Sequence, residues 1–245
     1  MPFGFRPCAL THYWVILSPM NRNRASRSAR RYAVLMGDLI GSERSTSPNT
    51  MHHVFNRAVD TANRRYQERI ASPLTITLGD EFQGLSPRLA DAWEIAASMR
   101  LQLLLSSIAC RFVVGLAELA TPLNTDRAWN MMGTGLGAAR AKLNDKRADN
   151  AYRFSLLDEP LIEPLLDAIG DSLTQVELGW TETQLEYYTK TRDSTRTNVE
   201  IAESLKITPR SLYKVLQAAR ADFHSRQSSV LRTALAGLDA KYGLT

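Results

Sequence analysis

The sequence predicts an α+β protein. A ferredoxin-like split βαβ unit covers residues 32–178, and a small all-α helix-turn-helix domain covers residues 179–245. Three observations carry that prediction. Apolar strands and amphipathic helices follow one another in the order β-α-β-β-α-β between Tyr32 and Leu119. Two of the strands run directly into Gly-Asp, at Gly37-Asp38 and at Gly79-Asp80. Near the C-terminus, two short amphipathic segments flank a tight turn punctuated by Thr208 and Pro209.

The first strand is the apolar run over residues 32–38. A loop rich in Ser, Thr and Gly follows over residues 39–48. A helix is expected from Asn49, because Met51, Phe55, Ala58, Ala62 and Tyr66 fall on one face. Pro73 ends the connection. The run from Thr75 through Gly79-Asp80-Glu81 to Leu85 then has the flanks and the turn residues of a β-hairpin. A second helix is expected over residues 88–106, with Leu89, Trp93, Ala96, Met99 and Leu103 on one face. Residues 110–119 form a nearly continuous apolar strand, which implies a central place in the sheet. In the split βαβ topology the first and third strands are neighbours, so the end of the first strand and the hairpin tip share one edge. Asp38 and Asp80 are therefore expected to converge there.

Composition bounds the function. The chain has 245 residues, 44% hydrophobic and 22% charged, the balance of a globular protein. Its net charge of +5 is unevenly placed, because residues 1–31 hold six Arg and no acid. That segment is expected to be a disordered leader or the product of a start assigned too early; an Arg-rich targeting peptide is the alternative. From Thr181 onward there are ten basic and seven acidic residues, which permits nucleic-acid contact without requiring it. Cys8 and Cys110 are far apart and no His or Cys has metal-ligand spacing, so a disulfide scaffold and a zinc site are excluded and a cytoplasmic location is expected. No apolar stretch reaches the length of a membrane span.

Carboxylates at adjoining strand ends suit Mg²⁺ or Mn²⁺, which take oxygen ligands, keep several waters and complete their shells with substrate phosphates. Asp38, Asp80 and Glu81 are the candidate metal ligands. Leu39, Ile40, Gly41 and Ser42 offer backbone N–H groups for phosphate, as does the hairpin glycine Gly79. A second glycine-rich turn, Gly133 to Gly137, opens a helix that carries Arg140, a candidate partner for a phosphate oxygen. Taken alone, glycine and aspartate in a hairpin are also ordinary turn chemistry.

Asp38-Leu39-Ile40-Gly41-Ser42 resembles the Asp-Ile-x-Gly stretch of class III nucleotide cyclases. Leu78-Gly79-Asp80-Glu81-Phe82 resembles their Gly-Asp hairpin and the Gly-Gly-Asp-Glu-Phe hairpin of diguanylate cyclases. The combination of both motifs with the later glycine-rich stretch Gly133 to Ala139-Arg140 and a helix-turn-helix tail resembles the SatD family, over roughly residues 32–222. The resemblance implies a nucleotide-cyclase-like palm with a metal site. This chain departs from the cyclases at three positions: Ile76 stands where they carry a base-reading Lys, Leu136 where they carry an Asn, and Leu78 where diguanylate cyclases carry a Gly. The metal carboxylates thus carry over better than the groups that recognise the base.

In the tail, Ile201, Leu205, Ile207, Leu212 and Val215 have the spacing needed to pack two helices across a short turn, with Ala202 where they cross. The second helix would present Arg210, Ser211, Tyr213 and Lys214 to DNA. Lys206 occupies the turn position where Gly is common. Residues 217–238 extend this helix or add a dimerisation helix, so a homodimer is among the expected partners. The expected function is a DNA-binding regulatory protein whose palm senses a nucleotide with Mg²⁺ or Mn²⁺. The alternative is a metal-dependent nucleotidyl cyclase or nucleotidyltransferase-type enzyme whose tail contacts DNA or another partner.

Overall fold

A computed structural model describes residues 30–41, 47–192 and 194–244, so residues 1–29 of the expected 1–31 leader, and Ser42, lie outside the described residues. The first unit runs β1 (Arg30–Leu39), α1 (Pro48–Arg65), β2 (Ser72–Ile76), β3 (Glu81–Ser86), α2 (Leu89–Leu105) and β4 (Cys110–Leu119). Arg30 and Arg31, read from sequence as the end of the leader, are the first two residues of β1, and Arg31 pairs with Glu118 across the β1–β4 ladder at 3.3 Å. The strand order β2-β3-β1-β4, all antiparallel, is the split βαβ arrangement. The outer side of β4 is shared by two short strands. β5 (Gly133–Thr134) pairs antiparallel with its C-terminal end, and β6 (Tyr152–Ser155) pairs parallel with its N-terminal half.

Side chains alternate across the sheet, so each strand feeds two cores. Ala33, Leu35, Phe82, Phe112 and Val114 meet Phe55 of α1 and Trp93 of α2 on one face. Val34, Met36, Leu85 and Val113 meet Ala139 and Leu143 of α3 (Leu136–Leu143) on the other. α3 is only two turns long.

The helices after β6 are α4 (Ile162–Leu178), α5 (Glu182–Arg192), α6 (Asn198–Ser204), α7 (Pro209–Ala218) and α8 (Ala221–Tyr242). The sequence predicts one apolar face on α2; the structure buries this helix nearly all round, including Asp91, Ser98 and Arg100. The reason is α8, whose Leu231, Leu235 and Leu238 join the same core as the sheet. α8 neither extends α7 nor leaves its leucine face open, because Arg220 adopts a left-handed conformation (φ 54°) that breaks the chain between the two helices. The Asp239 carboxylate accepts the Leu89 and Ala90 N–H groups at 2.6 and 3.2 Å, capping α2 from the far end of the chain.

A buried polar junction also joins the tail helices to the palm. The Glu177 carboxylate accepts from Arg100 Nε (2.9 Å) and Tyr152 Oη (2.7 Å) and bonds His224 Nε2 (2.9 Å), while His224 Nδ1 meets Tyr188 Oη (2.7 Å). Burial pushes the Glu177 carboxyl up, but the hydrogen bond from His224, the Arg100 charge and the Tyr152 hydroxyl outweigh it and hold the carboxyl below its ordinary range. Among the described residues no helix is long and apolar enough to cross a membrane.

Candidate functional site

The site begins with Gly37. A Cβ there would lie 2.2 Å from the Phe82 ring, so only glycine lets β1 and β3 pack closely at this point. The next residue, Asp38, has Glu81 as its register partner on β3 and Arg111 on β4. It lies on the face of Val34 and Met36, the α3 side. Arg111 Nε is 3.4 Å from Asp38 Oδ2. On the other flank, Arg140 of α3 reaches Glu81 Oε1 (3.1 Å) and Gln83 Oε1 (3.0 Å), and Thr77 Oγ1 donates to Glu81 Oε1 (3.2 Å). Four charges thus alternate across this end of the sheet in the order Arg111, Asp38, Glu81, Arg140.

Asp38 titrates at about 6, well above an ordinary carboxyl. Burial is the main cause; the Arg111 charge opposes it, and the neighbouring Asp80 and Glu81 charges add to it. The fold therefore favours the neutral form of this carboxyl.

The expected convergence at the hairpin tip takes a specific form. Asp80 is half-buried, its carbonyl accepts the Leu39 N–H at 3.0 Å, and its charge acts on Asp38. The residue squarely opposite Asp38 is Glu81, which is only 4% exposed. The hairpin loop closes by a bond from the Thr77 N–H to the Glu81 carbonyl, and Gly79 supplies the positive φ of 83° that the reversal needs. Among the described residues no three His, Cys, Asp or Glu side chains form a group able to hold a metal ion.

The backbone donors proposed for phosphate are differently disposed. The Leu39 N–H is used by Asp80 and the Ile40 N–H by the Ala109 carbonyl at 2.8 Å, while Gly41 is exposed with φ 77°. The glycine-rich turn before α3 has a packing explanation. A Cβ on Gly133 or Gly135 would strike the β4 carbonyls of Glu118 or Leu116, at 2.3 and 2.1 Å. Only Gly137 faces open space.

Sequence reasoning missed a cleft beside this edge. It has a volume of about 450 Å³ and is lined by Thr77, Leu78, Gln83, Trp129, Leu136 and Arg140. The Trp129 ring is half exposed, and the Ala128 N–H donates to Thr75 Oγ1 at 2.9 Å, tying its loop to β2. Arg111 was also missed, although a charge near the start of a largely apolar strand was its signal. Leu136, one of the departures from the cyclase pattern, lines the cleft.

The tail residues are not part of this site. α6 and α7 pack across a tight turn through Ile201, Ala202 and Leu212. Lys206 takes the positive φ (57°) of that turn, and Thr208 Oγ1 accepts the Ser211 N–H as the N-cap of α7. Arg210, Ser211, Tyr213 and Lys214 are all exposed on the first two turns of α7, with the Ser211 hydroxyl bonded to Thr208 Oγ1 at 2.9 Å. α7 packs on α5, α6 and α8.

The SatD family model matches residues 32–234 of the chain. None of the curated proteins matches it. Among solved structures, the chain is similar to a double mutant of the guanylyl cyclase domain of the RhoGC fusion protein from the aquatic fungus Blastocladiella emersonii. The two are 16% identical with a TM-score of 0.35, over 48% of this chain and 77% of that one. It is also similar to the guanylyl cyclase Cya2, at 15% identity and a TM-score of 0.32, over 46% of this chain and 67% of that one.

Proposed function

The chain belongs to the SatD family, and from that premise we propose that it is a regulatory protein whose palm binds a nucleotide with Mg²⁺ or Mn²⁺ and whose α7 contacts DNA. The observation that carries the palm reading is the row Arg111, Asp38, Glu81, Arg140 at one end of the sheet beside the Trp129 cleft. Asp38, with Asp80 and Glu81 beside it, would hold the cation. These are hard oxygen donors too few for an all-protein cage, which suits a cation that arrives with phosphate ligands of its own. Bound there, the cation would neutralise phosphate charge. Arg140 would leave Glu81 for a phosphate oxygen, and the exposed Trp129 ring offers a planar face to a base.

Sensing is favoured over turnover because Ile76 and Leu136 are apolar at the two positions where the cyclase resemblance expects polar groups. The retained acids Asp38 and Asp80 favour the second reading, a metal-dependent nucleotidyl cyclase or nucleotidyltransferase-type enzyme. DNA contact rests on the exposed Arg210, Tyr213 and Lys214 at the start of α7.

Calorimetric titration of the full chain with each nucleoside triphosphate, with and without Mg²⁺ or Mn²⁺, tests the palm. Binding that needs the metal and is lost in Asp38→Ala and Arg140→Ala supports it; heat-free titrations with every triphosphate and metal reject it. Chromatography of the same mixtures separates the two readings, since a new product that disappears in Asp38→Ala or Asp80→Ala establishes the enzyme. For DNA, the Arg210→Ala/Lys214→Ala chain is expected to bind more weakly, with a salt slope smaller by about 1 per lost phosphate contact.

A further inference from the structure

We infer that Arg111 is a two-position arm of the acidic edge: it shields Asp38 in the free chain, and it transfers to a phosphate oxygen when ligand binds, releasing Asp38 to the divalent cation. This rests on the reading of the palm as a nucleotide and metal site.

The observation behind it is an unsatisfied guanidinium. Arg111 is 8% exposed, yet its Nε and Nη1 are buried and make no hydrogen bond among the described residues. Its approach to Asp38, at 3.4 Å, is an ion pair without hydrogen-bond geometry. A guanidinium has five donors in a rigid plane and no acceptor, and buried donors are almost always paired. Arg153 provides the comparison on the same face of the sheet. It gives its N–H groups to the carbonyls of Asn150, Lys142, Asp145 and Ala148, where it is locked in place. Arg111 lacks such acceptors, so it is held only by charge and is free to exchange partners.

Charge balance defines what is missing. Arg111 and Arg153 are close enough for each to feel the other's charge, and Lys146 acts on Asp38 as well. From the β3 side, Asp80 and Glu81 repel Asp38. The Arg111 flank therefore lacks an anion with paired acceptor oxygens, and the Asp38 flank lacks a cation. A phosphate on Arg111 and a divalent ion on Asp38 satisfy both. Each ligand removes the other's competitor, so the two bind with positive coupling.

The test uses Mn²⁺, followed by the electron paramagnetic resonance of the free ion, and inorganic pyrophosphate, followed by calorimetry, on the full chain. In the wild type, saturating pyrophosphate is expected to tighten Mn²⁺ binding by about fivefold or more. Arg111→Met is expected to move the two affinities in opposite directions: Mn²⁺ alone binds several times more tightly, and pyrophosphate about tenfold more weakly. A merely structural role weakens both together, and that result overturns the inference, as does unchanged pyrophosphate affinity. Arg111→Lys keeps the charge and removes the fork, and serves if Arg111→Met does not fold. It should weaken pyrophosphate binding while leaving Mn²⁺ affinity unchanged, and wild-type behaviour for both ligands counts against the arm. A wild type that binds neither Mn²⁺ nor pyrophosphate removes the palm reading itself, whereas a wild type that binds both, with variants that fail these expectations, removes only the role of Arg111.

Discussion

Asp38 and Glu81 stand opposite one another across the β1–β3 ladder, and each is tied to a different arginine, Asp38 to Arg111 and Glu81 to Arg140. Two acids in register on one sheet face repel, and this pair is balanced by cations brought from β4 and α3. The arrangement has a cost in stability that a variant can recover.

The Asp38 carboxyl is raised from 3.8 to about 6 in the folded chain. The fold therefore favours its neutral form. The penalty is absent below pH 3.8, grows between 3.8 and 6, and is complete above 6. Asn mimics the neutral acid, so Asp38→Asn is expected to stabilise the chain at pH 8 by about 2 kcal/mol. The gain should shrink steadily as the pH is lowered to 4.5. Urea unfolding of both chains at the two pH values checks it; a gain that does not depend on pH refutes this origin.

Glu177 makes the opposite prediction. Its carboxyl is held below the ordinary value of 4.5 by His224, Arg100 and Tyr152 despite complete burial. The stability it contributes is present above pH 4.5 and is lost as the pH falls through the lower, folded value. Glu177→Ala leaves the Arg100 charge buried without its partner and is expected to cost about 3–5 kcal/mol. His224→Ala removes one hydrogen bond at each ring nitrogen and should cost about 1–3 kcal/mol. Urea unfolding at pH 7 measures both. Equal stability of wild type and Glu177→Ala would mean that the junction does not tie α8 to the palm.

The glycines at the start of α3 differ in what surrounds them. Gly135 has φ 88° and faces the Leu116 carbonyl, so Gly135→Ala is expected to cost about 1–3 kcal/mol. Gly137 sits in the first turn of α3 facing open space, so Gly137→Ala should be neutral or stabilise by about 0.5–1 kcal/mol. Thermal unfolding of the two variants gives the comparison. Destabilisation by Gly137→Ala would contradict the open environment around it.

Much of this architecture is legible in the residues. The near-continuous apolar run over residues 110–119 marks β4 as a central strand, and element order makes β1 and β3 neighbours. The site was less legible. Alternation set Glu81, not Asp80, squarely opposite Asp38, and a shift of one residue in the hairpin decides which acid that is. Arg111 belongs to the site only through its register with Asp38, a relationship between residues far apart in sequence. The polar partners of Glu177 come from α2, β6 and α8, and no local spacing brings them together. The apolar face of α8 was visible, but nothing local says whether it meets a second chain or this chain's own α2.

That last point yields the final prediction. Leu231, Leu235 and Leu238 share one core with Leu89, Trp93 and the sheet, and the Trp93 ring N–H donates to the Ser228 carbonyl at 3.2 Å. Leu235→Ala is expected to cost about 2–5 kcal/mol, because it opens a cavity in the palm's own core. Val230, on the same helix but 53% exposed, should tolerate Ala within about 0.5 kcal/mol. A chain ending at residue 178 loses the cover of α2 and the Asp239 cap, so it should aggregate or unfold without a cooperative transition. Cooperative unfolding of that fragment, with stability close to the full chain, would show that the palm completes its core without α8 and that the leucine face serves another purpose.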